Sequence, residues 1–152
     1  PRPMSIAKSA KVHLSLKNIA IFVSGTGSNA QKIIEYFQDS LAVNCALLVS
    51  NKASASALAM STTYGVPTMV LNRKRFYENT TLLVDLSAKK IDLLVLAGFL
   101  WLFPDYLVAA YPNQIINIHP ALLPKYGGKG MYGCRGRIGI PDCNIAIFQS
   151  TK

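Results

Sequence analysis

A chain of 152 residues fits one domain, long enough to bury a core and near the low end for an open α/β sheet with helices on both faces. With 51% hydrophobic and 15% charged residues it reads as globular rather than disordered, and its apolar runs fall well short of the roughly 20 residues of a membrane span. The net charge of +9 sits at the ends: residues 1–17 carry four bases and no acid, residues 125–152 carry five bases against Asp142, and the stretch between holds seven bases against six acids. That distribution argues against the clustered basic face that nucleic-acid binding requires.

Residues 1–17 form a basic leader, expected to be disordered, without the apolar stretch of a secretory signal. Residues 19–24 (IAIFVS) are a continuous apolar run that ends in the glycine-rich GTGSN, and residues 30–38 place Ile33, Ile34 and Phe37 at helical spacing. The spacing thus predicts strand, tight loop, helix. A second strand is expected over 45–49, a helix over 54–64 closed by Gly65, and a short third strand over 67–71. Residues 73–90 read as one helix with Phe76, Leu83 and Leu86 on one side, and DLLVL at 92–96 as a strand buried on both faces. Pro104 opens a short helix through Ala110, and residues 114–118 give a fifth strand that runs into His119-Pro120.

Five strands alternating with four helices imply a doubly wound, Rossmann-like, mostly parallel α/β sheet, with function at the carboxyl ends of its strands. From Cys134 onwards no strand or helix period is legible before Asn144. Cys45, Cys134 and Cys143 form an odd set without CxxC spacing, so neither a disulfide framework nor a zinc site is indicated and a reducing, cytoplasmic setting is expected.

Three segments follow directly on expected strands. In Gly25-Thr26-Gly27-Ser28-Asn29 the glycines permit a tight turn and a helix start offers free N–H groups to one phosphate; the alternative is a plain turn capped by Ser28 or Asn29. No GK[ST] follows, and Ala30 stands where a dinucleotide fingerprint has its third glycine, so neither a Walker loop nor NAD is indicated. Asn117 and His119 flank Ile118 at a strand end, where period two points both to one side. A carboxamide donor beside an imidazole suits acyl transfer, the first holding a developing oxyanion and the second moving the proton. A histidine satisfied by a carbonyl, with Asn117 capping the strand, is the structural alternative. The run Gly98 to Phe103 (GFLWLF) is either core or an apolar loop shaped by Pro104 for a flat heteroaromatic ring, held by backbone hydrogen bonds and apolar walls. Arg73 either lies on a solvated helix face or turns inward toward an acidic ligand tail. His13 reads as an exposed bystander, and no metal-ligand cluster or GxSxG elbow is present.

Taken in order, IAIFVSGTGSN, VSNKASA, LAGFLWLFP and NIHPALLPKYGGKGMYG resemble the successive blocks of the glycinamide ribonucleotide formyltransferases, over residues 18–133. The NIHPALLPKY block is shared with the wider folate-dependent formyltransferase superfamily, methionyl-tRNA formyltransferases included; GTGSN narrows it to the purine enzyme. The resemblance implies a formyltransferase fold and transfer of a formyl group from 10-formyltetrahydrofolate to the amine of glycinamide ribonucleotide, in purine biosynthesis, without a metal. It implies that Gly27, Ser28 and Asn29 hold the substrate phosphate, that Leu100, Trp101, Leu102 and Phe103 line the pterin site, and that Arg73 contacts the folate. Asn117 would bind the formyl oxygen and His119 would handle the proton. Family members continue through further strands and a loop whose aspartate orients the histidine. Residues 134–152 do not match that pattern, and Asp142 lies too soon after His119 to take the role. The sequence therefore reads as truncated at the C-terminus, with an unpaired sheet edge and low stability expected. A nucleotide-phosphate-binding fragment without catalysis is the alternative function, and a relative of the tRNA enzyme the other.

Overall fold

The computed structural model describes residues 16–78, 80–119 and 144–147. Six strands form one sheet: β1 (Lys17–Val23), β2 (Val43–Ser50), β3 (Thr68–Val70), β4 (Ile91–Ala97), β5 (Ile115–His119) and β6 (Asn144–Ile147), in the order β3-β2-β1-β4-β5-β6. The first five are parallel, and β6 runs antiparallel to β5, with His119 opposite Asn144 and Ile116 opposite Ile147. The helices are α1 (Ser28–Phe37), α2 (Met60–Tyr64), α3 (Arg73–Glu78), α4 (Thr81–Ala88) and α5 (Asp105–Ala110).

Two faces of the sheet are buried, which is why its strands read as unbroken apolar runs rather than alternating ones. Along β1, Ala20 and Phe22 point to one face, where they meet Leu47, Leu94 and Leu96 from neighbouring strands and Phe76, Leu82, Leu86 and Leu107 from α3, α4 and α5. Ile19, Ile21 and Val23 point to the other, against Leu48, Val95, and Ala30, Ile34 and Met60 from α1 and α2. Chain order therefore winds outward from β1 to β3 under one layer, then crosses back to β4 and on to β5 under the other. The doubly wound expectation holds.

Two elements differ from the sequence reading. The helix expected over 73–90 is two helices, because Asn79, Thr80 and Thr81 are poor helix-interior residues and Thr80 leaves helical geometry at φ −87°, ψ 5°. The break shifts the phase, so Leu82 and Leu86 are buried four residues apart while Leu83 is only partly covered. The helix expected over 54–64 begins as a 3₁₀ turn at Ser56–Ala59 before α2.

Residues 144–147, which follow the stretch without a legible period and to which no element was assigned, supply β6, so the β5 edge expected to be unpaired is paired from Ile116 to His119. The leader through residue 15 and residues 120–143 and 148–152, with Asp142, lie outside the described residues.

Candidate functional site

The chain reverses its direction of growth between β1 and β4, which are adjacent although α1 to α4 separate them in sequence. The loops leaving their carboxyl ends go to opposite faces: residues 25–27 lead into α1, and the segment after Gly98 packs with α3 and α5. Loops that diverge in this way open a crevice, the usual ligand position in an open α/β sheet.

One wall is GTGSN. Gly27 takes φ +73°, and a Cβ there would lie 2.6 Å from the Ala57 Cβ and 2.7 Å from the Met60 methyl. The residue therefore has to be glycine for backbone geometry and for space. The Ala57 N–H donates to the Gly25 carbonyl at 3.2 Å, so the turn before α2 braces the loop from behind. Gln31 N–H is the first to bond back, to the Gly27 carbonyl at 2.8 Å. No side chain caps the helix and its first turn holds no acid, so the N–H groups of Ser28, Asn29 and Ala30 open the helix dipole toward the crevice mouth. Ser28 is exposed and Asn29 half-buried.

The opposite wall is the run from Gly98 (φ +75°) to Phe103. Its side chains alternate. Phe99 and Phe103 sit edge-on to Phe22 at 5.4 and 5.0 Å between centroids, and Trp101 tilts onto Phe76 at 5.7 Å. Leu100 and Leu102 point outward and stay 72% and 67% exposed. Of the four side chains expected to line an aromatic-ring site, two anchor the loop or lean on its anchor and two present bare apolar surface. That surface fits a flat heteroaromatic ligand, which would cover it.

Arg73, at the start of α3, places its guanidinium 5.5 Å from the centres of both the Tyr77 and Trp101 rings. This cation–π clasp keeps a positive charge at the rim of the apolar loop. An open groove of about 440 Å³ beside it is lined by Arg73, Lys74, Tyr77 and Glu78. Partial burial raises the Tyr77 phenol above its ordinary value, partly offset by the Arg73 charge. Asn72 caps α3, its Oδ1 accepting the Arg75 N–H at 2.7 Å.

Asn117 stands near the end of β5, opposite Leu96 of β4 and only 8% exposed. It is thus buried in the sheet, next to the strand that launches the apolar loop. His119 is the last residue of β5, two positions on; its side chain lies outside the described residues. Among the described residues no cluster of His, Cys, Asp or Glu could hold a metal ion.

Sequence reasoning missed three residues that shape the crevice. Ser24, 3% exposed, donates its hydroxyl to Asn51 Oδ1 at 2.7 Å and accepts the Leu100 N–H at 2.9 Å. Its own N–H donates to the Gly98 carbonyl at 3.1 Å. Tyr77 donates its hydroxyl to the Leu102 carbonyl at 2.7 Å. A single Ser, Asn or Tyr carries no spacing signal, so nothing short of the folded structure marks these contacts.

The geometry defines the class: an open Rossmann-like α/β domain whose crevice joins an anion-favouring glycine loop to an apolar, cation-rimmed wall and a buried carboxamide. Comparison with known proteins sharpens it. Residues 17–135 match the model of the formyl transferase family. The chain is 42% identical over 125 residues to the chloroplastic phosphoribosylglycinamide formyltransferase of Arabidopsis thaliana, covering 78% of this chain and 43% of that protein. It is 32% identical to the phosphoribosylglycinamide formyltransferase of Bacillus subtilis, covering 87% of this chain and 70% of that protein. Among solved structures, it resembles the phosphoribosylglycinamide formyltransferase of Anaplasma phagocytophilum with a TM-score of 0.67 at 34% identity, over 74% of this chain and 54% of that one. The glycinamide ribonucleotide transformylase 1 of Geobacillus kaustophilus matches with a TM-score of 0.66 at 34% identity, over 74% and 63%. The chain belongs to the formyl transferase family, in its phosphoribosylglycinamide formyltransferase branch. It spans 43% of the length of the Arabidopsis relative and about half to two thirds of the solved ones.

Proposed function

We propose that the protein transfers a formyl group from 10-formyltetrahydrofolate to the amine of glycinamide ribonucleotide, a step of de novo purine biosynthesis. The observation that carries the reading is the meeting, at the β1/β4 switch point, of the glycine loop, the apolar loop and Asn117. In this reading Gly27, Ser28 and Asn29 hold the ribonucleotide phosphate through first-turn N–H groups, a site that favours dianions. Leu100 and Leu102 cover one face of the pterin, with Trp101 and Phe103 fixing the loop behind them, and Arg73 meets the acidic end of the folate from its perch on Tyr77 and Trp101.

The folate supplies the formyl carbon; the amine nitrogen bonds to it, and the bond from that carbon to N10 breaks, releasing tetrahydrofolate. The chain's own residues stabilise charge and move a proton. The Asn117 carboxamide donates to the formyl oxygen as it becomes an oxyanion. His119 accepts the proton lost by the attacking amine and returns it to the departing N10. Among the described residues no helix is long and apolar enough to cross a membrane, and the reading puts the enzyme in the cytoplasm; the Arabidopsis relative is chloroplastic.

The test is turnover of the two substrates by the purified chain. Asn117→Ala should lower kcat by about 10²–10³ and His119→Ala by about 10²–10⁴, with the ribonucleotide KM little changed. Absence of turnover from a folded, monodisperse wild-type chain would overturn catalysis and leave a ribonucleotide-binding domain.

A further inference from the structure

Backbone recognition of a flat heteroaromatic ring demands that the amides reading its edge be fixed before it arrives, since a mobile loop loses in ordering what it gains in hydrogen bonds. In the loop at residues 98–104 the ordering has two visible sources. At its start, the Leu100 N–H is taken by the buried Ser24 hydroxyl at 2.9 Å. That hydroxyl is itself oriented, because its proton goes to Asn51 Oδ1 at 2.7 Å, so its lone pair is left for the amide. Two residues on, the Leu102 carbonyl is taken by the Tyr77 hydroxyl at 2.7 Å. Tyr77 is in turn held by the Arg73 guanidinium over its ring and by Phe76 and Trp101 at 4.9 and 6.1 Å between centroids.

We infer that Ser24 and Tyr77 are positioning residues for the folate: two side-chain hydroxyls that pin the loop at Leu100 N–H and Leu102 C=O, and so present the intervening backbone, from the Leu100 carbonyl to the Leu102 N–H, as a preset edge for the pteridine. Among the described residues that intervening edge makes no hydrogen bond within the protein. The flanking alternation agrees, since pinning both ends holds Trp101 inward against Phe76 and leaves Leu100 and Leu102 outward. Ser24 has a second consequence. Through Asn51 it joins this loop to the end of β2, and through the Gly98 carbonyl to the end of β1, so the apolar wall is indexed to the strand that carries the phosphate loop. This inference rests on the formyl-transfer reading and names residues that it leaves unassigned.

The experiment is calorimetric titration of the full chain and of Tyr77→Phe and Ser24→Ala, separately with tetrahydrofolate and with glycinamide ribonucleotide. Tyr77 is half-buried, and its ring packing survives the change to Phe, so this variant keeps its fold. It should bind tetrahydrofolate about five- to tenfold more weakly, the size expected for one lost hydroxyl–carbonyl bond, with ribonucleotide affinity within about twofold of wild type. Ser24→Ala strands both Asn51 and the Leu100 amide and should weaken tetrahydrofolate further than Tyr77→Phe does. Tetrahydrofolate affinity unchanged in Tyr77→Phe, or weakened equally for both ligands, overturns the inference while leaving the formyl-transfer reading intact. A wild-type chain that binds no tetrahydrofolate overturns both.

Discussion

At the scale of single residues, two glycines with the same backbone sign separate geometry from space. Gly65 takes φ +68° with nothing within 4 Å of an added Cβ, whereas Gly27 takes φ +73° with Ala57 and Met60 inside 3 Å. Gly65→Ala should therefore cost about 1–2 kcal/mol, the left-handed penalty alone. Gly27→Ala adds overpacking against backbone-anchored Ala57 and should cost about 2–4 kcal/mol; urea unfolding of the two variants measures the gap, and equal losses would contradict the packing described. Cys45 offers a pH test. Burial pushes its thiol up from 9.0 to about 11, so the folded state keeps a proton that the unfolded state releases. Its contribution is fully present below pH 9 and is lost as pH rises from 9 to 11. A Cys45→Ser control should flatten the alkaline limb of the stability profile, and native Cys45 should alkylate at pH 7.5 far more slowly than it does in denaturant.

At the scale of elements, the strands were the most legible part of the sequence. The runs IAIFVS, DLLVL and the residues before His119 fall on β1, β4 and β5 to within two residues, because a strand buried on both faces needs an apolar residue at every position. Helices were less so: residues 73–90 keep a helical pattern through Asn79-Thr80-Thr81, and only packing reveals that α4 restarts with Leu82 and Leu86 inward. β6 received no assignment because four residues, NIAI, are short for a period to identify as a strand, and they gain their place from pairing with β5. Of the candidate site, the places of the two loops after strands and of Asn117 near the end of β5 were readable from the strand pattern; Ser24, Asn51 and Tyr77 were not, since each acts through hydrogen bonds to residues far away in sequence. The α3 start gives an element-scale prediction. Asn72→Ala removes the cap on Arg75 N–H and should cost about 1 kcal/mol, whereas breaking the half-exposed Arg75–Asp85 pair between α3 and α4 with Asp85→Asn should cost well under 1 kcal/mol. The larger effect from the neutral residue is the outcome that distinguishes capping from charge pairing.

For the whole molecule, the sheet divides the core in two, and the cation-rimmed wall draws its support from one side only. Phe22 is fully buried and carries both Phe99 and Phe103. Phe22→Ala should lower stability by about 3–5 kcal/mol and, on the formyl-transfer reading proposed above, the affinity for folate with it, while Ile34→Val, on the α1 side, should cost only about 0.5–1.5 kcal/mol and leave that affinity alone. Thermal unfolding with each ligand reads both effects, since a ligand that binds only the native state raises Tm. The arrangement at the loop also gives the protein a built-in optical probe. The sequence contains one tryptophan, and it is Trp101, tilted onto Phe76 and close to the Arg73 guanidinium, beside two exposed leucines. All indole emission therefore originates within a few ångströms of the crevice wall, so solvent-quencher access and emission wavelength report the hydration of that wall without any label. Acrylamide quenching should fall when the apolar wall is covered and stay constant when a ligand fills only the glycine loop, separating the two halves of the crevice in a single cuvette.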